Sequence, residues 1–236
     1  PENPEVMWQF IETIEGLRQA CEIFDTPVTG GNVSFYNETN GSAILPTPVL
    51  GVVGKINDLK CIPKSHFTNV GDRIFLLGET RSELGGSVYL EHLGLPLSGP
   101  CPSVDLGQEK ELQGKLLELT KKGLLKSAHD ISEGGLAMCL AESCFPSKCG
   151  VQVDVTTPLR SDYYLFSESA SRVVVSVEET HIEEFLDIMS NFSLAALGRV
   201  TEQKFELSVN EKPLISLSIL DMFQKWDSYM DKVFRH

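Results

Sequence analysis

Residues 126–137 read KSAHDISEGGLA, and in this stretch the chain passes from strand to helix within a few residues. A short strand is expected over 126–128, and a helix is expected to open at 130–135 and run to about residue 145. Strands and helices alternate in this way along most of the chain. We therefore expect an α/β fold, or an α+β fold with mixed sheets.

The same stretch offers a candidate phosphate site. A helix start presents free backbone N–H groups and a positive dipole, so Gly134 and Gly135 are candidate phosphate contacts. His129 next to Asp130 suggests a catalytic pair, although the side chains of adjacent residues usually point apart. The alternative is structural, with Asp130 or Ser132 capping the helix. The pattern is not a Walker A loop, since no Gly-Lys-Ser/Thr follows.

Hydrophobic spacing predicts the other elements. Apolar residues recur every three or four positions over 6–24 and indicate an amphipathic helix. The remaining predicted helices lie at 88–93, at 109–122, from residue 180 onward and at 220–234, and the remaining predicted strands at 73–77, 151–155, 171–177, 197–200 and 205–217.

A glycine-rich segment at 27–36 is expected to form a short strand that glycines interrupt, and 43–56 is expected to be extended. Gly31 would allow a ligand to approach the backbone closely. The amide oxygen of Asn32 suits Mg²⁺, and the hydroxyl of Ser34 suits a phosphate. The alternative here is a β-bulge followed by a turn.

A third glycine-containing segment follows the predicted strand 73–77. Gly85, Gly86 and Ser87 repeat the order of strand, glycine and helix, so they are candidate phosphate contacts or simply a turn. A further candidate segment is the loop 166–172, which supplies a carboxylate and a guanidinium. These are either ligand groups or a surface pair.

Composition restricts the class of function. The 236 residues include 20 basic and 33 acidic side chains, a net charge of −13, which disfavours nucleic-acid binding. No apolar run is long enough to span a bilayer, and no signal-peptide pattern is present, so we expect no membrane partner. The six cysteines match no zinc or redox spacing, which indicates reduced thiols and a cytoplasmic protein.

Six segments, in this order, resemble the C-terminal half of the phosphoribosylformylglycinamidine synthase family, which belongs to the aminoimidazole ribonucleotide synthetase-like superfamily. The resemblance covers nearly the whole chain. The segments are PEVMWQF at 4–10, GNVSFYNET at 31–39, PTPVLGVVG at 46–54, GDRIFLLG at 71–78, AHDISEGGLA at 128–137 and FSESASR at 166–172.

The resemblance implies an ATP- and Mg²⁺-dependent carbon–nitrogen ligase of purine biosynthesis. Such an enzyme converts formylglycinamide ribonucleotide and glutamine-derived ammonia into the amidine by phosphorylating the amide oxygen. The resemblance also implies that Gly31 lies at the nucleotide, that Asn32 is a Mg²⁺ ligand and that Ser34 contacts substrate. A departure at Ala170, where the family often has an amide side chain, weakens a ligand role for that loop.

The resemblance further implies a fragment. Residues 1–62 would be the C-terminal part of an N-terminal-type domain, and 63–236 a C-terminal-type domain. The family's catalytic histidine lies in its N-terminal half, so we expect an inactive chain whose partners are that missing half and a glutaminase. Uncovered apolar surface would also promote self-association. The alternatives are a non-catalytic nucleotide-binding scaffold and a small-molecule kinase of the same superfamily.

Overall fold

The computed structural model describes residues 3–34, 38–96 and 98–234, which form two compact units, Pro1–Asn57 and Asp58–His236. The domain ranges expected from the sequence, 1–62 and 63–236, lie close to this division and stay a prediction. No helix in the described part of the chain is both long and apolar enough to cross a membrane.

The first unit is built around helix α1, Pro4–Phe24, which confirms the helix predicted over 6–24. The helix begins where the Asn3 side chain accepts a hydrogen bond from the Glu5 N–H, at 2.9 Å, with a proline in the first turn. It ends at Asp25, whose left-handed backbone (φ 52°) stops the helix.

The remainder of the first unit contains far less strand than predicted. Among the residues that the structure describes here, only a short hairpin forms, from β1 (Glu38–Thr39) and β2 (Ser42–Ala43). The described part of 27–36 and residues 44–56 contain no strand, and Phe35–Asn37 lie outside the described residues. A strand needs a neighbour to accept its backbone hydrogen bonds, and the described residues of this unit supply none for 44–56.

The second unit contains one mixed sheet, which confirms the predicted fold class. Its strand order is β4-β6-β3-β7-β5-β8-β9, and every neighbouring pair is antiparallel except β5 and β8. The strands are β3 (Arg73–Leu77), β4 (Leu125–Asp130), β5 (Gly150–Val155), β6 (Val173–Val177), β7 (Leu194–Thr201), β8 (Lys204–Val209) and β9 (Lys212–Ser218).

Helices cover the two faces of this sheet unequally. Helices α4, α5 and α7 pack on one face over a core that includes β3, β5, β7 and β8. Helices α3 and α6 pack on the other face, but only over the half formed by β4, β6 and β3. The helices are α2 (Val88–His92), α3 (Leu106–Lys121), α4 (Gly135–Cys144), α5 (Ser161–Phe166), α6 (Ile182–Ile188, after a 3₁₀ turn at Glu179–His181) and α7 (Ile219–Phe234).

Candidate functional site

The first unit contains a cleft of about 550 Å³ that brings the predicted nucleotide and metal residues together. Gly31, Asn32 and Ser34 all line it. One face of α1 forms another wall, and Ala43–Leu50 complete the lining. The cleft is therefore largely apolar, with a short polar segment on one side.

Packing within this cleft does not require a glycine at position 31. A Cβ atom placed on it would meet no atom within 4 Å, and its backbone does not adopt a positive φ. The absence of a side chain there leaves the backbone open to a ligand. Among the described residues no group of three His, Cys, Asp or Glu side chains could hold a metal, so Asn32 by itself is one candidate ligand and not a complete metal site.

A second cluster forms in the second unit, where β3 and β4 end and β6 begins. Its centre is the carboxylate of Glu168, whose Oε1 accepts hydrogen bonds from Val88 N–H at 3.0 Å and from Gly134 N–H at 2.9 Å. Those N–H groups lie at the starts of α2 and α4. An internal carboxylate therefore occupies the position that an anionic ligand would take at these helix starts.

The structure corrects the predicted cap of α4. This helix begins at Gly135, and Gly134 is its N-cap with no side-chain hydrogen bond, so neither Asp130 nor Ser132 caps it. Asp130 instead ends strand β4. The acceptor that the N-cap backbone needs comes from Glu168, which lies 34 residues further along the chain.

Arg172 holds the segment that carries Glu168. Its guanidinium donates to Ser167 O at 2.6 Å, to Ser169 O at 2.9 Å and to Thr80 Oγ1 at 3.0 Å. The side chain is buried, and burial lowers the pKa of Arg172 to about 10, so the group stays charged at neutral pH. Arg172 thus clamps the carbonyl groups on both sides of Glu168. Because Arg172 is buried, the alternative of a surface pair is wrong.

Glu83 joins the same cluster from the loop after β3. Its Oε1 accepts from the N–H of Ser103 at 3.0 Å and from the hydroxyl of Ser103 at 2.7 Å. Burial acts to raise the pKa of Glu83, but the hydrogen bond from the Ser103 backbone helps to bring that pKa below its ordinary value. Glu83 therefore ties the 98–105 loop to the cluster as a carboxylate.

The glycine and serine residues predicted as phosphate contacts here have structural roles. A Cβ on Gly85 would lie 2.0 Å from Pro100 O, and a Cβ on Gly135 would lie 2.8 Å from Leu165 O. Gly86 and Gly135 both have positive φ, at 70° and 67°. Ser87 caps α2 by accepting from Leu90 N–H at 3.4 Å. Close packing and capping account for these residues, and a ligand role for them stays a prediction.

His129 and Asp130 do not form a close side-chain pair. His129 Nδ1 lies 2.8 Å from the backbone oxygen of Asp130 but 3.8 Å from its Oδ1. On the other side of the ring, Nε2 lies 3.9 Å from Glu142 Oε2. The Asp130 side chain is 77% exposed, so it does not hold the imidazole in one orientation. The arrangement lacks the base–orienter contact that a catalytic pair needs.

We expect Glu168→Ala to lower the free energy of unfolding by about 2 kcal/mol, because two helix-start N–H groups lose a charged acceptor. Glu168→Gln keeps an acceptor oxygen at the same place and is expected to lose about half as much. Urea unfolding followed by circular dichroism measures both values. Equal stability of the alanine variant and the unchanged chain would contradict this account of Glu168.

Two curated proteins illustrate the sequence similarity. The chain is 42% identical over 228 residues to phosphoribosylformylglycinamidine synthase subunit PurL of Moorella thermoacetica, covering 96% of this chain and 31% of that protein. It is 44% identical over 227 residues to the subunit of the same name from Carboxydothermus hydrogenoformans, covering 94% of this chain and 31% of that protein. The chain therefore spans about a third of the length of these relatives.

Solved structures show the same fold at lower identity. A structure described as Thermotoga maritima PurL complexed with FGAR matches with a TM-score of 0.61 and 17% identity, covering 70% of this chain and 30% of that one. A structure of T. maritima PurL complexed with ATP matches with a TM-score of 0.56 and 17% identity, covering 70% and 28%.

Family models match both units. The model described as AIR synthase related protein, N-terminal domain, matches residues 1–56. The model described as AIR synthase related protein, C-terminal domain, matches residues 69–210, which is more than half of the chain. With the mixed sheet and the order of motifs already described, these matches establish that the chain belongs to the family of AIR synthase related proteins.

Proposed function

We propose that this chain supplies part of the active site of an ATP-dependent carbon–nitrogen ligase of purine biosynthesis. The reaction converts formylglycinamide ribonucleotide and glutamine-derived ammonia into formylglycinamidine ribonucleotide. The observation that carries the proposal is the cleft of the first unit, which gathers Gly31, Asn32 and Ser34 against an apolar face of α1. The names of relatives at 42% and 44% identity support the same reaction.

The composition of the cleft suits the parts of a nucleotide. Its apolar wall includes Phe10, Ile14 and Leu17, which offer a surface for a planar base. The open backbone at Gly31 allows phosphate groups to approach. The Ser34 hydroxyl offers a hydrogen bond to the substrate. These three features bind and orient the reactants.

The reaction transfers the γ-phosphoryl group of ATP to the oxygen of the glycinamide carbonyl, which turns that oxygen into a leaving group and keeps the formyl group unchanged. Ammonia then attacks the imidate carbon, and phosphate departs with the oxygen, leaving the amidine. Asn32 would hold Mg²⁺ through its amide oxygen, as that hard cation prefers oxygen ligands. When bound, the ion would supply charge stabilisation for the transferring phosphoryl group. Further ligands must come from nucleotide phosphates or from other protein segments, since the described residues offer no complete set.

The partners follow from the proposed reaction. Ammonia requires a glutaminase domain or subunit, and the catalytic base and remaining metal ligands require the N-terminal half of the relatives. The proposed location is the cytoplasm, consistent with six free cysteines. Exposed apolar side chains in the first unit, including Val49 and Val53, would be covered by that half or by a second copy.

The proposal is tested in a chimera in which this chain replaces the matching segment of the Moorella thermoacetica relative. We expect the chimera to form the amidine, and Asn32→Ala to lower kcat/KM about 100-fold because a metal ligand is lost. Asn57→Ala removes an amide of the same size outside the cleft and is expected to leave the rate unchanged. An Asn32→Ala chimera with full activity would contradict the metal role.

A direct titration separates binding from catalysis. Calorimetric titration of Mg·ADP into the 236-residue chain and into Asn32→Ala reports whether the cleft binds nucleotide by itself. Binding that is lost in the variant would assign the nucleotide to the cleft. Equal binding in both would place the nucleotide elsewhere in the chain and contradict the proposed role of Asn32.

A further inference from the structure

The second unit presents an open sheet face that shares no lining residue with the cluster around Glu168. Helices α3 and α6 cover β4, β6 and β3, and no described element of this unit packs on the same face of β7, β5, β8 and β9. The open half forms a depression of about 680 Å³. Its lining mixes charged and polar side chains with apolar ones, whereas the core on the other face is apolar.

Two arginines lie side by side on this face. Arg73 of β3 is the direct cross-strand partner of Arg199 of β7, and Arg199 is the direct partner of Gln152 of β5. Directly opposite residues of an antiparallel pair point to the same face, with Cβ atoms about 5 Å apart. Both arginines line the depression.

Neither guanidinium is neutralised by a carboxylate. Arg199 donates from Nε and Nη2 to Gln152 Oε1 at 3.2 and 2.9 Å, which is a neutral acceptor. The side chain of Arg73 makes no hydrogen bond or ion pair with any residue of the second unit that the structure describes. Like charges directly opposite each other destabilise a sheet, and this chain has an excess of acidic side chains that could have offset them.

Among the described residues that line this depression, the acidic side chains lie on the side of Gln152 that faces away from Arg199. Glu206 is the cross-strand partner of Gln152, and Asp154 lies two residues along β5 on the same face. The depression is therefore cationic at its β3–β7 end and anionic at its β5–β8 end. A ligand that fits both ends carries a strong anion at one end and hydrogen-bond donors at the other.

We propose that Arg73 and Arg199 form a binding site for the phosphate group of a small phosphate monoester whose remaining part carries hydroxyl or ammonium groups. A phosphate dianion balances two guanidinium charges and offers three terminal oxygens, enough for both donor forks. The carboxylates of Glu206 and Asp154 accept from the hydroxyl or ammonium groups. The residues that line this depression are different from those that line the cleft containing Asn32.

The test uses the 236-residue chain and glycerol 3-phosphate, with inorganic phosphate and glycerol as comparison ligands. Nuclear magnetic resonance of the arginine Nε–Hε groups follows each guanidinium separately. We expect saturable shifts of the Arg73 and Arg199 signals, tighter binding of glycerol 3-phosphate than of inorganic phosphate, and no shift with glycerol. Arg73→Gln and Arg199→Gln should each weaken binding at least ~10-fold.

The control variant is Arg160→Gln, which removes an exposed arginine that is paired with Asp162 elsewhere and should leave the binding unchanged. Asn32→Ala should also leave it unchanged, which separates this site from the proposed ligase site. Three results would overturn the proposal, and the first two are the absence of a saturable shift of Arg73 and Arg199 and binding that persists in Arg73→Gln. The third is a lower unfolding midpoint of Arg73→Gln and of Arg199→Gln than of the unchanged chain, measured without ligand. That result would show that the arginine pair serves to stabilise the fold.

Discussion

Arg172→Met is expected to lower the free energy of unfolding by about 3 kcal/mol, although methionine fills a similar volume. The substitution leaves three buried acceptors without a donor: Ser167 O, Ser169 O and Thr80 Oγ1. Each unsatisfied buried acceptor costs about 1–3 kcal/mol. Removal of a buried charge that no carboxylate pairs offsets part of this cost, so the expected net loss is less than the sum.

Two further variants test the reason for the Arg172 effect. Arg172→Lys keeps the charge but cannot reach three separated acceptors, so we expect it to lose most of the same stability. Arg160→Met removes an exposed arginine that pairs with Asp162, and we expect a loss below about 1 kcal/mol. Denaturant unfolding measures all three. A lysine variant as stable as the unchanged chain would show that charge matters here and hydrogen-bond geometry does not.

Gly78→Ala is expected to lower the free energy of unfolding by more than about 3 kcal/mol, because two effects act together. Gly78 follows β3 with φ at +90°, a backbone conformation that residues with a Cβ rarely adopt. An added Cβ would also lie 2.1 Å from the backbone oxygen of Ser171, which cannot rotate away as a flexible side chain would. Relief requires moving the segment that begins strand β6.

Gly71→Ala separates these two effects. Gly71 has a similar φ of +99°, but an added Cβ would meet no atom within 4 Å. We therefore expect Gly71→Ala to cost only the backbone strain, about 1 kcal/mol. Denaturant unfolding of both variants gives the difference that is due to the contact with Ser171. Equal losses for the two variants would contradict the steric account of Gly78.

Arg172→Met and Gly78→Ala affect the same cluster around Glu168. Together they report on how the loops of the second unit are held in place. Gly78 and Arg172 are in contact range, since a Cβ on Gly78 would lie 3.1 Å from Arg172 Cγ. The glycine allows the loop after β3 to pass close to the segment that Arg172 holds. Loss of either residue is therefore expected to release Glu168 from the two helix starts.

The elements with strong local patterns were predictable from the sequence. The helix over 6–24 has a sustained three-and-four spacing, and the structure confirms it as Pro4–Phe24. The strands over 205–217 alternate around Asn210 and Glu211, and both turn residues have positive φ, at 52° and 64°. Helix α5, at Ser161–Phe166, was not predicted, because six residues are too few for a clear helical period.

The expected strands of the first unit show the limit of local information. Residues 43–56 are apolar and were predicted to be extended, yet in the described part of this unit the only strand pairing joins Ser42–Ala43 to Glu38–Thr39, and 44–56 contain no strand. The composition of a segment indicates that it can form a strand. Whether it does depends on a neighbouring strand that accepts its hydrogen bonds.

The sequence by itself determined the motifs that indicate the family, the main helices and strands, and the candidate residues Gly31, Asn32 and Ser34. All of these depend on residue types within short spans of the chain. Tertiary structure alone decided which group occupies the centre of the second cluster, the one around Glu168. The bonds that do so join Glu168 to Val88 across 80 residues and Arg172 to Thr80 across 92. Contacts at such separations arise from chain folding, so no local pattern reveals that a carboxylate already occupies the helix starts.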